Sequence, residues 1–100
     1  MKNDFSVLLK EVLKEVEDML IQKNTAYGDS YFETRRKYGI QSLLIRLEDK
    51  QNRLFSLIIK AGGEGILLET DESIEDTIKD IAGYCLLELI YRRLETKCGQ

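Results

Sequence analysis

The chain has 100 residues, of which 43% are hydrophobic and 33% are charged, and its net charge is −3 at pH 7. This length fits one domain, residues 1–100, with a single core, and the composition argues against a disordered chain. Histidine is absent, which excludes Ser-His and Cys-His nucleophilic pairs and histidine-ligated zinc. The acidic balance gives no overall attraction for duplex nucleic acid. With no signal-peptide pattern and no apolar run that could cross a membrane, we expect a cytoplasmic protein without a membrane partner.

The first predicted element is a long helix from Asp4 to about Lys23. Its apolar residues recur every three or four positions, which is typical of a helix that faces a core. These positions are Phe5, Leu8, Leu9, Val12, Leu13, Val16, Met19 and Leu20. The charged residues between them are expected to form a solvated face.

A loop is predicted where this periodicity stops, from Lys23 to Ser30, because Asn24 and Gly28 favour turns. Two interpretations remain open for the loop: a turn with Tyr27 and Tyr31 packed over the core, or a loop that contacts a ligand. A short helix is then predicted from about Tyr31 to Tyr38, ending at Gly39.

The next predicted helix begins at Ile40 or Ser42 and ends near Ala61. Its seam alternates steps of four and three residues, as in helices that pack at a shallow angle. The seam comprises Leu43, Leu47, Lys50, Leu54, Leu57 and Ala61. A mixed ridge of Arg46, Asp49, Lys50 and Arg53 runs along its flank, although Lys50 could simply extend its ammonium out of the core.

The last helix is predicted to begin at Thr70 or Asp71 and to end near Thr96 or Lys97, after a break at residues 62–65 and an extended connection at 66–68. Gly83 in its middle indicates close approach of another helix, subunit or ligand. Cys85 is expected to be a small core residue. The predicted buried positions are Ile74, Ile78, Ile81, Ala82, Cys85, Leu86, Leu89 and Ile90.

These elements predict an all-α fold: an antiparallel helical bundle of three long helices and one short helix. The last helix is apolar over a wider arc than three long helices can cover. We therefore expect a homodimer or homotetramer formed through it.

Glu72, Asp76, Asp80 and Tyr84 follow one another at intervals of four residues, so they share one face of the last helix. Neighbouring carboxylates at this spacing repel each other, which calls for a metal ion or facing basic side chains. If the two helices lie side by side, the mixed ridge faces this acidic row across a groove. Carboxylates there could hold a hard cation and basic groups could neutralise a polyphosphate, as phosphoanhydride hydrolysis requires. The alternative is interhelical salt bridging without a ligand.

Three motifs carry a resemblance to a known family. They are Lys23-Asn-Thr-Ala-Tyr-Gly28, Arg46-Leu-Glu-Asp-Lys50 with Arg53-Leu54, and Glu72 through Asp76-Thr77, Asp80 and Ala82-Gly83-Tyr84. In this order they resemble the first nucleotide-modification-associated domain family, found mostly in phages and bacteria. That family is allied to the all-α MazG-like and dimeric dUTPase nucleotide pyrophosphohydrolases.

The resemblance implies a MazG-like fold that binds a free nucleotide and hydrolyses a nucleoside triphosphate to monophosphate and pyrophosphate. It implies Mg²⁺, with Mn²⁺ as a substitute, held by Asp49, Glu72, Asp76 and Asp80. Asp49, Asp76 and Asp80 would be the catalytic residues. Lys23, Tyr27, Arg46, Lys50, Arg53 and Tyr84 would contact the substrate.

This chain departs from the MazG-like pattern on the first metal-binding helix, where Glu48-Asp49 is followed by Gln51-Asn52. Fewer carboxylates there favour an alternative to an enzyme, a non-catalytic protein that binds or sequesters a nucleotide. A third alternative is a purely structural helical oligomer, in which the two ridges pair only with each other.

Overall fold

The structure, a computed structural model, describes residues 2–27, 30–60 and 72–98. Over these ranges the regular structure is entirely helical, which confirms the predicted all-α class. There are four helices in the described ranges: α1 (Lys2–Tyr27), α2 (Ser30–Tyr38), α3 (Gln41–Lys60) and α4 (Glu72–Cys98). The predicted break at 62–65 and connection at 66–68 lie outside the described residues. The chain divides into two compact units, residues 1–30 and residues 31–100.

Helix α1 continues to Tyr27, so the predicted end near Lys23 is wrong. Asn24, Thr25, Ala26 and Tyr27 are ordinary residues in a helix and cost it only fractions of a kcal/mol each, roughly 0.7 or less. The first strong helix breaker is Gly28, which lies outside the described residues. The predicted ligand loop is therefore helical over its first half.

Only the C-terminal part of the apolar stripe of α1 is buried as predicted: Val16 is buried, and Met19 and Leu20 are half-buried. Its N-terminal members are exposed, with Phe5 at 68%. A single helix cannot cover its own apolar stripe, so periodicity alone does not show that the stripe is buried. The predicted core positions that are exposed are Phe5, Leu8, Leu9, Val12 and Leu13.

A tight corner joins α2 to α3, and the predicted end of α2 at Gly39 is confirmed. Gly39 has a φ of 83°, a backbone conformation that residues with a Cβ rarely adopt. Its N–H donates to the Arg35 carbonyl at 2.9 Å. The hydroxyl of the buried Ser42 donates to the Thr34 carbonyl at 3.0 Å, which ties the start of α3 to α2.

Helices α3 and α4 pack against each other and run antiparallel. Arg46 lies against Tyr84 and Lys50 against Asp80, so four residues forward along α3 correspond to four residues back along α4. The predicted seam residues Leu43, Leu47, Lys50, Leu54 and Leu57 are all half-buried. The seam was therefore predicted correctly for the residues that the structure describes.

One side of α4 supplies most of the buried residues of this unit, but its other side is open. Ile74, Thr77, Glu88 and Tyr91 are buried. The predictions of burial for Ile78, Cys85, Leu86, Leu89 and Ile90 are wrong, because all five are exposed. Helix α4 is apolar over a broad arc, whereas its neighbours within the unit cover only one side of it.

No helix in the described ranges is both long and apolar enough to cross a membrane.

Candidate functional site

The predicted mixed ridge of α3 and the acidic row of α4 face each other, and we call this region the charged face. It comprises Arg46, Asp49, Lys50 and Arg53 on α3 with Glu72, Asp76, Asp80 and Tyr84 on α4. Its central contact is an ion pair between Lys50 Nζ and Asp80 Oδ2 at 3.1 Å. The Lys50 side chain is 27% exposed and that of Asp80 is 16% exposed, so solvent reaches both. The Lys50 ammonium therefore interacts with the Asp80 carboxylate as well as with solvent.

One turn further along, Arg46 packs on Tyr84. Its Nη1 donates to the Tyr84 hydroxyl at 3.4 Å, and its guanidinium carbon lies 5.6 Å from the ring centroid, within the range of a cation–π contact. Tyr31 contacts the same tyrosine, with ring centroids 5.9 Å apart at a tilted angle of 46°. Arg46 Nη2 also donates to Thr34 Oγ1 at 3.5 Å. Arg46 therefore joins α2, α3 and α4.

The outer part of the charged face lies beyond the ion pair. Asp49, Arg53, Glu72 and Asp76 are exposed. The antiparallel register places Arg53 level with Asp76 and its neighbour Thr77. These four side chains are the part of the charged face that is most open to a ligand.

The four carboxylates of the predicted metal set do not gather around one point. Among the described residues, no three histidine, cysteine, aspartate or glutamate side chains are close enough to hold a metal ion. The whole acidic row is too long to converge on one ion: Glu72 and Asp80 are separated by about 12 Å along the helix axis, whereas ligands of Mg²⁺ lie about 2.1 Å from the ion. Asp80 is in addition held by Lys50. The predicted Mg²⁺ site therefore stays a prediction.

Lys23 and Tyr27 lie in the last two turns of α1. Their predicted role, closing over a bound ligand, stays a prediction.

A second polar cluster, which we did not predict from the sequence, lies one turn further along α4 and adjoins the charged face at Tyr31. Its centre is the carboxylate of Glu88, whose side chain is 5% exposed. Glu88 Oε1 accepts hydrogen bonds from the Tyr31 hydroxyl and from Arg35 Nε, both at 2.8 Å. Glu88 Oε2 accepts from Arg35 Nη2 at 3.1 Å and from Arg92 Nε at 2.9 Å. We call Tyr31, Arg35, Glu88 and Arg92 the Glu88 cluster.

The electrostatics of the Glu88 cluster follow from these bonds. The Arg35 hydrogen bond lowers the pKa of Glu88, against the effect of burial, and Tyr31 and Arg92 lower it further. The same pairing raises the pKa of Arg35. Burial, followed by the hydrogen bond to Glu88, raises the pKa of the Tyr31 hydroxyl. The Glu88 carboxylate is thus charged. The neutral Tyr31 hydroxyl and the cationic side chains of Arg35 and Arg92 hold it in place.

Packing supports this cluster. The Arg35 guanidinium lies 4.6 Å from the centroid of the buried Tyr91 ring, and Phe32 stacks on Tyr91 at 6.3 Å. Within the described residues no buried side-chain nitrogen or oxygen lacks a hydrogen-bond partner. A carboxylate that accepts four hydrogen bonds has no lone pair directed at a substrate. The Glu88 cluster therefore joins α2 to α4 and is not a reactive centre.

A signal for this cluster was present in the sequence. Glu88 is the single charged residue within the run Cys85-Leu-Leu-Glu-Leu-Ile-Tyr91. A lone carboxylate among apolar residues on a helix is rarely buried without a partner, because burying an unpaired charge is costly. Arg92, four residues later, lies on the same face of α4 as Glu88.

Comparison of the chain with protein-family models, curated proteins and solved structures finds no match.

Proposed function

We propose that this protein binds a free nucleotide at the charged face. The observation that carries the proposal is the antiparallel register, which sets Lys50 against Asp80 and Arg46 against Tyr84. The steps of four and three residues put Arg46, Lys50 and Arg53 on one side of α3, and the register sets that side next to α4. Guanidinium and ammonium groups so arranged are the usual protein ligands of phosphate oxygens.

The accessibility of the ion pair supports the proposal. Both partners of the Lys50–Asp80 pair are partly exposed, and a lysine ammonium has three N–H donors. A phosphate oxygen can therefore bind the Lys50 ammonium from the solvent side while Asp80 keeps its own contact. Arg53 is exposed one turn away and would take a second phosphate oxygen.

The charge balance indicates the form in which the nucleotide binds. Three cations on the charged face meet four carboxylates: Asp49, Glu72, Asp76 and Asp80. A bare triphosphate would be repelled by this net negative charge, whereas a triphosphate that carries Mg²⁺ has most of its charge neutralised. The cation would therefore arrive with the nucleotide, and Asp76 and Glu72 would meet it from the exposed end of α4.

Calorimetric titration with a panel of deoxyribonucleoside and ribonucleoside triphosphates in Mg²⁺ tests the proposal. Arg53→Gln should weaken binding about tenfold, because a hydrogen bond between charged groups is worth about 1.5 to 3 kcal/mol. Arg36→Gln is the matched control, since Arg36 is an exposed arginine on α2 outside the charged face. If every triphosphate binds more weakly than about 1 mM, or both variants lose affinity equally, the proposal is wrong.

Two further arms of the same titration separate the alternatives that the resemblance raises. Affinity that survives EDTA would support a nucleotide-sequestering protein that needs no cation. Release of pyrophosphate that stops in Asp76→Asn, with the fold intact by circular dichroism, would extend the proposal to pyrophosphohydrolysis. Binding without release would restrict it to nucleotide binding.

A further inference from the structure

Helix α4 carries an apolar stripe on the side that faces away from its buried residues. The stripe follows steps of three and four residues, so its members share one face. We call it the outer stripe, and it comprises Glu75, Ile78, Ala82, Leu86, Leu89 and Arg93. Ile78 is 51% exposed and Leu89 is 57% exposed. A helix that is apolar on both sides is ordinarily buried on both sides, but the described residues of its own unit leave this face exposed.

The outer stripe has opposite charges at its two ends. Glu75 begins it in the first turn of α4, and its carboxylate lies 3.6 Å from Lys79 Nζ while remaining 63% exposed. Arg93 ends it and is also exposed. The members of the stripe between them are uncharged, and Lys79, the partner of Glu75, lies at the edge of the stripe. A surface that is acidic at one end, apolar in the middle and basic at the other end is complementary to itself when it is reversed.

The spacing also matches in the reversed arrangement. If Glu75 of one copy lies opposite Arg93 of another, the two-fold axis crosses α4 at the level of Tyr84 and Cys85. Ala82 of one copy then lies opposite Leu86 of the other. A small residue opposite a large one lets two helices approach closely and interdigitate.

We propose that the outer stripe binds the outer stripe of a second copy of this chain, with the two α4 helices antiparallel. The proposal goes beyond nucleotide binding and does not depend on it. In this dimer the apolar middle of the stripe provides the affinity. The Glu75–Arg93 pair fixes the antiparallel orientation of the two helices. In a two-fold dimer this pair occurs twice.

Charge reversal tests the orientation. Glu75→Arg and Arg93→Glu should each weaken dimerisation about tenfold, because each places like charges together at two equivalent positions. The double variant Glu75→Arg/Arg93→Glu should restore it, since the opposite charges then face each other again. Sedimentation equilibrium over a range of concentrations measures these dissociation constants. In a parallel pair Glu75 would face its own counterpart, so the single variants would not weaken the dimer.

Leu86→Asp tests the apolar part and should yield a monomer whose helical circular dichroism is unchanged. Leu44→Asp is the matched control, because Leu44 is 63% exposed but lies on α3. A monomeric wild type at tens of micromolar would overturn the proposal. If the wild type is a monomer and Leu86→Asp also lowers its free energy of unfolding, another part of the same chain covers the outer stripe, and the proposal is again wrong. Dimers that dissociate equally with Leu86→Asp and Leu44→Asp would also contradict it.

Discussion

Glu88 accepts a hydrogen bond from the Tyr31 hydroxyl at 2.8 Å, although 57 residues separate the two along the chain. The same carboxylate also accepts two hydrogen bonds from Arg35. This contact joins the first turn of α2 to the C-terminal half of α4. The packing of α2 onto α4 thus depends on one buried charge.

Replacing Glu88 by Gln should lower the free energy of unfolding by about 3 kcal/mol, because it leaves the Arg35 guanidinium without its carboxylate in a partly buried site. Tyr31→Phe removes one hydrogen bond and should cost about 1 kcal/mol. Urea denaturation followed by circular dichroism measures both values. Glu95→Gln, at an exposed position on the same helix, should leave stability unchanged. Equal effects of Glu88→Gln and Glu95→Gln would show that the cluster does not stabilise the fold.

Lowering the pH should remove the contribution of Glu88 to the stability of the fold. Its pKa in the folded protein is lowered by Arg35, so its stabilising effect is present above the ordinary glutamate pKa of about 4.3 and is lost as the pH falls below that value. The stability difference between the wild type and Glu88→Gln should therefore shrink as the pH falls from neutrality to below 4.3. Urea denaturation at several pH values gives this difference. A difference that stays constant over the acid range would contradict the assignment.

Gly39→Ala should destabilise the corner between α2 and α3. Gly39 has a φ of 83°, and a Cβ added there would meet no atom within 4 Å, so the cost is one of backbone conformation and not of space. Alanine in this conformation should lower stability by about 1 kcal/mol. Asparagine tolerates the left-handed region better, so Gly39→Asn should cost less. Thermal unfolding of both variants measures the order, and an alanine variant at least as stable as the asparagine variant would contradict it.

A double-mutant cycle should identify the partner of Lys50. Lys50→Met and Asp80→Asn should be coupled by about 0.5 to 1 kcal/mol, because the two side chains form a partly exposed ion pair. The matched cycle of Lys50→Met with Asp76→Asn should show coupling near zero, since Asp76 is exposed one turn away. Free energies of unfolding from urea denaturation supply both cycles. Coupling of equal size in the two cycles would show that Lys50 interacts diffusely with the whole acidic row.

Local patterns predicted the parts of the fold that depend on neighbours in sequence. The end of α2 at Gly39 and the seam of α3 follow from turn chemistry and helical periodicity. The facing of the mixed ridge and the acidic row also followed, because charge and period together restrict how α3 can lie against α4. The Lys50–Asp80 pair is the closest agreement between sequence and structure in the charged face.

Other features depend on which surfaces meet, and periodicity does not encode that. Phe5 and Leu86 show the same spacing as residues of a core, yet both are exposed. The Glu88 cluster needs Tyr31 and Arg35 from a helix that is distant in sequence, so only a three-dimensional arrangement reveals it. The metal set stays a prediction, since a shared helix face does not by itself place carboxylates around one point.

The separation between Tyr31 and Glu88 also sets the order of events when the chain is made. At synthesis rates of about 5 to 20 residues per second, Tyr31 and Arg35 emerge about 3 to 11 seconds before their carboxylate exists. Until then α2 has neither Glu88 nor Tyr91 to pack against, and a short isolated helix of this length is unstable in water. The docking of α2 is therefore a late step of folding, completed only when the second half of α4 has left the ribosome.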